Sequence, residues 1–275
     1  MTLSFPPLPF GTTVRDTFVA VAIHLKAIVA IAALPYVLSL AIFFAEDLYL
    51  AASYTGVQAT TVHSVAAFIT QFLIFSFFAV NVHRLMLVGD SAGEGRMDEA
   101  ALDRYWIYIK RLLTIAVVSL PLWGVVFLLS LGLAPWFDVW LQLVLTLVAV
   151  LLAFILLSRF TFVLSASGVD APYSLMDSWR ALAGVHLKVV SIYFTVMLPA
   201  LVILVGFAAY LNLYAPPIVL VGEEIKDYQL NLSYWVWAPV GLFLLFVMQA
   251  LLVTAISICF YHRTGWRPGA ERVDY

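Results

Sequence analysis

The chain has 275 residues, of which 64% are hydrophobic and only 11% charged, with a formal net charge of −2 and a mean hydropathy of +1.03. A water-soluble domain keeps about a quarter of its residues charged so that its surface is solvated. The composition therefore excludes a soluble enzyme or a soluble binding domain and requires an integral membrane protein. No nucleic-acid partner is expected, and the single Cys259 permits no internal disulfide.

A spanning helix needs roughly 20 predominantly apolar residues, and six such windows are predicted, near 17–45, 62–88, 106–133, 138–165, 185–213 and 234–262. The first follows VRDTF (14–18) and contains HLKAIVAIAALP (24–35), with Lys26 and Pro35. It is longer than the 7–15-residue apolar region of a signal peptide, so it is expected to persist as a helix. The second carries Gln71, ends in VHRL (82–85) with Arg84, and meets a stop signal at Gly89. The third follows DRYW (103–106) and reads YIKRLLTIAVVSLP (108–121), with Lys110, Arg111 and Pro121. The fourth carries Thr146 and ends in LSRF (157–160) with Arg159. The fifth follows MDSW (176–179) and reads HLKVVSIYFTVMLP (186–199), with Lys188 and Pro199. A loop with Pro216, Pro217 and an acidic run leads to the sixth, which carries Gln249 and ends in YHRT (261–264) with Arg263.

One unit is thus written three times: a short polar–apolar segment, a lysine, a proline-bearing helix out, and a helix back ending in arginine. The expected fold is an all-α polytopic membrane protein in one membrane domain. Its six helices form three similar hairpins with pseudo-threefold symmetry, over about 11–88, 97–165 and 172–264. A short interfacial amphipathic helix is expected before each hairpin. Thr13-x-x-Asp16 and Ser174-x-x-Asp177 fit the capping box, whereas the middle copy has Ala100 at the corresponding place. With the N-terminus inside, every Lys and Arg except Lys226 falls on the cytoplasmic side, so both termini are expected in the cytoplasm.

The basic residues Lys26, Arg84, Lys110, Arg111, Arg159, Lys188 and Arg263 read as interfacial anchors whose stems snorkel, or as a collar for anionic lipid headgroups. His24, His83, His186 and His262 stand beside them and read as interfacial anchors too. They lack metal-ligand spacing, and no metal is expected. Deeper, Gln71, Thr146 and Gln249 form a polar layer near the midplane, level with Pro35, Pro121 and Pro199. Those prolines are expected to kink their helices and free the carbonyls of Ile31, Val117 and Thr195. The layer reads either as glue between hairpins or as a midplane binding site. There is no phosphate-cradling glycine loop, nucleophile elbow or paired carboxylate in the apolar windows. No catalytic residue and no cofactor is assigned.

In SRFTFVLSASGVDAPYSLMDSWRALAGVHLK (158–188), an arginine closes one helix and a Ser…Trp segment opens the next. With HRLMLVGD (83–90) as the earlier junction, the chain resembles poorly characterised bacterial six-helix membrane proteins. These are related to the membrane domain of glycerophosphodiester phosphodiesterases. The resemblance implies a membrane module connected with envelope or lipid biology, without a phosphodiesterase domain. Three proline-kinked hairpins look like mitochondrial carriers in outline, yet PYVL, PLWG and PALV lack the charges of the carrier signature. The expected function is a non-enzymatic, lipid-interacting or complex-organising module of the bacterial inner membrane. Its expected partners are anionic lipids on the cytoplasmic side and other membrane subunits. The alternative is a transporter of an uncharged or lipidic substrate.

Overall fold

A computed structural model describes residues 6–52, 57–89, 99–133, 148–149, 151–214 and 232–267. Among these residues the protein is wholly helical. A first helix, α1 (Phe10–Ile23), turns at His24 into α2 (Leu25–Ala52), and α3 (Val57–Val88) and α4 (Glu99–Leu133) follow. Then come α5 (Leu151–Gly168), tightened into a 3₁₀ turn at Ser158–Phe160, and the short α6 (Leu175–Ala181). The last two are α7 (His186–Tyr214) and α8 (Leu232–Thr264). Six of them, α2 to α5 with α7 and α8, are long and apolar enough to cross a membrane. This is the architecture of a multi-pass membrane protein. At 1.5 Å per residue the 32-residue α3 and the 33-residue α8 are about 48–50 Å long. A hydrocarbon core is about 30 Å thick, so such helices tilt or extend beyond it.

Neighbours in the chain are neighbours in space: α2 packs on α3, α4 on the last turns of α5, and α7 on α8, while α8 also lies against α1, α2 and α3. The helices differ in depth within the bundle. Phe78, Val82 and Leu85 of α3, Phe162, Val163 and Ala166 of α5, and Ala255, Ile256, Cys259 and Phe260 of α8 are fully or nearly fully buried. By contrast α2, α4 and α7 turn large apolar side chains outward, including Val37, Val117, Leu120, Val202 and Ile203. At the arginine-bearing end, then, the C-terminal halves of α3, α5 and α8 form the centre together with the first half of α7, where Val189, Ile192, Tyr193 and Val196 are fully buried, and α2 and α4 wrap them. Edge-to-face rings knit this centre, as with Phe162 and Tyr173 against Phe260. Such pairs add about 0.5–1.5 kcal/mol beyond area burial.

The segments ahead of the lysine-bearing helices are not alike. α6 begins with the capping box read from the sequence: the Ser174 hydroxyl accepts from the Asp177 amide, and the Asp177 carboxylate accepts from the Ser174 amide. α1 does not. It starts at Phe10 behind Pro9, with no side-chain cap, and Thr13 lies inside its first turn, where its hydroxyl donates to the Pro9 carbonyl. Asp16, free of a capping role, meets Arg15 at 3.1 Å and His262 at 3.5 Å. The middle segment is not a separate helix among the described residues. DRYW (103–106) belongs to α4, which runs unbroken from Glu99. With Ala100 where a capping hydroxyl would sit and no glycine or proline before Pro121, nothing ends the helix there.

α1 is also inside-out for an interfacial helix of a soluble protein. Thr13 and Thr17 face the bundle, both fully buried, while Phe18, Val19 and Ile23 face outward. The Thr17 hydroxyl is satisfied by the Thr13 carbonyl at 2.8 Å. Self-satisfied hydroxyls let a polar residue pack against protein while the apolar face meets lipid.

Candidate functional site

The basic residues separate by type. Lys26, Lys110 and Lys188 are all exposed, on α2, α4 and α7, and Arg111 is half-buried beside Lys110. Arg84 and Arg263, near the ends of α3 and α8, and Arg159, in the 3₁₀ turn within α5, fold inward and bond protein groups. The sequence pattern ended that helix at LSRF, but α5 runs on to Gly168. Arg263, 7% exposed, donates from Nε to the Ala181 carbonyl at 2.7 Å and from Nη1 to the Pro6 carbonyl. Arg159 places its guanidinium 4.2 Å above the Trp179 ring and contacts His186 Nδ1 at 3.2 Å. Arg84 and Arg104 converge on one Asp170 carboxylate oxygen, at 3.8 and 3.5 Å.

Each inward contact joins elements distant in sequence. Arg263 ties α8 to the end of α6 and to the segment before α1. The Arg159–Trp179 stack ties α5 to α6, helped by the Ser178 hydroxyl donating to the Arg159 carbonyl at 2.6 Å. Asp170 draws together α3 and α4 from the turn after α5. It adopts φ +58°, a left-handed conformation that Asp tolerates better than most residues. Nothing in the sequence around Val169-Asp170-Ala171 marked it as an ion-pair centre. Its only signal was a lone acid before a proline.

Under this polar ring lies a fully buried histidine. His83 Nδ1 stands 2.8 Å from Ser257 Oγ and 3.3 Å from Ser165 Oγ, linking α3, α8 and α5 at the centre of the bundle. The site is tightly closed: a Cβ added to Gly168 would stand 2.9 Å from His83 Cβ. Sequence reading grouped His83 with His24, His186 and His262 as an interfacial anchor, but His83 is 0% exposed. The pattern hid this because the neighbouring Arg84 suggested headgroups. The serines, small and lacking any motif, gave no signal. No group of three or more His, Cys, Asp or Glu suited to a metal occurs among the described residues.

In the deeper polar layer, Gln71 donates from Nε2 to the Ser39 carbonyl at 3.0 Å, joining α3 to α2. Gln249 donates to the Phe75 carbonyl at 2.8 Å, joining α8 to α3. Ser39 and Phe75 supply these acceptors, in place of Ile31, Val117 and Thr195. Thr146 lies outside the described residues. Pro35, Pro121 and Pro199 lie inside α2, α4 and α7, which continue through them. A further proline, Pro239, lies within α8, and its carbonyl accepts from the Tyr36 hydroxyl at 3.0 Å. Gln71 and Gln249 thus act between helices, each on a backbone oxygen. Compared with family models, curated proteins and solved structures, the chain matches none.

Proposed function

We propose that this protein is a non-enzymatic module of the bacterial inner membrane that interacts with anionic lipid or organises a membrane complex. In this reading both termini lie in the cytoplasm, and the six helices form three related hairpins about a pseudo-threefold axis. Kinship with the membrane domain of glycerophosphodiester phosphodiesterases belongs to the same proposal. The observation that carries it is the division of the basic residues. Arg84, Arg159 and Arg263 are taken up by protein groups, while Lys26, Lys110 and Lys188 stay exposed on α2, α4 and α7. Exposed lysines at one end of a lipid-facing bundle form a collar for anionic headgroups, each worth about 1 kcal/mol near a charged surface.

The test is native mass spectrometry of the purified protein offered phosphatidylglycerol and phosphatidylcholine together. Selective retention of phosphatidylglycerol is expected. Equal retention of both, or of neither, contradicts the proposal.

A further inference from the structure

The three inward arginines are not satisfied in the same way. Arg84 faces the Asp170 carboxylate, and Arg263 donates to two carbonyl oxygens. Among the described residues the Arg159 side chain meets no oxygen at all. Its guanidinium lies 4.2 Å from the centre of the Trp179 ring, and Nη2 donates to His186 Nδ1 at 3.2 Å. A guanidinium has donors only, so Nδ1 is the acceptor and the imidazole is neutral. Both partners are therefore uncharged. No carboxylate pairs with Arg159 among the described residues, and its Nε, shielded from solvent, has no acceptor.

This cation is nevertheless held in place. Trp179 is backed by Phe160, with ring centroids 5.6 Å apart, and the Ser178 hydroxyl pins α6 to the Arg159 carbonyl. Stacking covers a flat face of the guanidinium and leaves the N–H groups of its edge in one plane. The side chain is half-buried, so that edge is reachable from outside. The surroundings add charge of the same sign. Lys188 stands two residues beyond His186 and Arg180 follows Trp179, and both are exposed. The acid of α6, Asp177, accepts instead from the amide and hydroxyl of Ser174. Charges drawn away from water are ordinarily paired. A guanidinium positioned by two neutral groups, with further cations beside it, is suited to an anion.

We infer that Arg159, stacked on Trp179 and tethered by His186, binds one phosphate group through the edge of its guanidinium. Two phosphate oxygens match the planar fork, and the remaining oxygens and charge suit the flanking Lys188 and Arg180. The phosphate belongs either to an anionic lipid headgroup or to a soluble phosphate. For a lipid source the inference rests on the lipid-interacting reading above; for a soluble anion it stands without it. The lysine collar is open to any annular lipid, whereas this site takes a single phosphate.

The full-length protein in detergent is titrated with dioleoyl phosphatidylglycerol by native mass spectrometry. Separately, its melting temperature is followed against sodium phosphate, with sodium chloride at matched ionic strength as the control. One tightly held phosphatidylglycerol, or stabilisation by phosphate beyond that by chloride, is expected for the wild type. Arg159→Gln is expected to weaken the responding ligand at least about tenfold. Arg159→Lys keeps the charge but loses the planar fork, and is expected to weaken it nearly as much; it decides the matter if Arg159→Gln misfolds. A phosphate response lost in these variants with phosphatidylglycerol retained as before assigns a soluble ligand, and the reverse assigns a headgroup. Unchanged affinity for both ligands in a folded Arg159 variant, or a wild type that responds to neither, overturns the site. In the first case a wild type that still selects phosphatidylglycerol over phosphatidylcholine leaves the lipid-interacting reading standing; in the second both fall.

Discussion

Arg263 Nε donates to the carbonyl oxygen of Ala181 across 2.7 Å, joining the last turn of α8 to the last residue of α6. A second guanidinium nitrogen reaches the Pro6 carbonyl. An arginine that anchors in lipid would be replaceable by any long cation. This one satisfies two backbone oxygens that protein covers, and hydrogen bonds to charged groups contribute about 1.5–3 kcal/mol each. Arg263→Gln is expected to destabilise the protein by about 2–4 kcal/mol, read by thermal or denaturant unfolding in detergent. Lys188→Gln, at an exposed position, is expected to change stability by less than about 0.5 kcal/mol. Equal effects would contradict the division between inward arginines and outward lysines.

Glycines separate the same inner and outer surfaces. A Cβ on Gly168 would meet His83 Cβ at 2.9 Å, whereas a Cβ on Gly206 of α7 meets nothing within 4 Å. Gly168→Ala is expected to cost about 1–3 kcal/mol through overpacking. Gly206→Ala relieves the entropic penalty of a helical glycine and is expected to be neutral or stabilising by up to about 1 kcal/mol. Unfolding titrations of the two variants check the contrast. A neutral Gly168→Ala would mean that α3 and α5 are not held this close.

The glutamines Gln71 and Gln249 each bond a neighbouring helix through one backbone carbonyl. Interhelical bonds of this kind in membranes are worth about 0.6 kcal/mol on average and under 2 kcal/mol at most. Gln71→Leu and Gln249→Leu are expected to lower stability by that order and to leave phosphatidylglycerol selection unchanged. Loss of lipid selection with stability intact would restore the midplane site as a binding element.

Ser174 caps α6 through the Asp177 amide, while Asp16 plays no such part in α1. Ser174→Ala is expected to cost about 1 kcal/mol and to speed amide exchange in α6. Asp16→Asn is expected to leave exchange in the first turn of α1 unchanged. Hydrogen exchange resolved by peptide reads both outcomes.

Apolar run length alone made the six spanning helices legible, since lipid forces a run of about 20 apolar residues whatever else the sequence encodes. The capping box at Ser174 was equally plain, because its chemistry is local. What lay beyond reach was long-range. Whether Arg84, Arg159 or Arg263 faces lipid or protein depends on what α6, Asp170 and the Pro6 segment bring to it, and no spacing rule records that. His83 shows the same limit: its partners Ser165 and Ser257 stand 82 and 174 residues away. The glutamines were found because amides in apolar windows need partners. Their acceptors were misassigned because an ordinary helical carbonyl can accept a second bond, so no proline-freed oxygen is required. The Thr13-x-x-Asp16 pattern failed for a local reason: Pro9 starts the helix four residues earlier.

Lipid selection by the exposed lysines is the most direct test of the proposed function. Lys26→Gln, Lys110→Gln and Lys188→Gln are combined in one full-length protein, and the ratio of bound phosphatidylglycerol to phosphatidylcholine is measured by native mass spectrometry beside its melting temperature. The expected result is a several-fold fall in total anionic lipid retained, with melting unchanged within a few degrees. An unaltered lipid ratio in the folded triple variant would contradict the lysine collar as the lipid-interacting element.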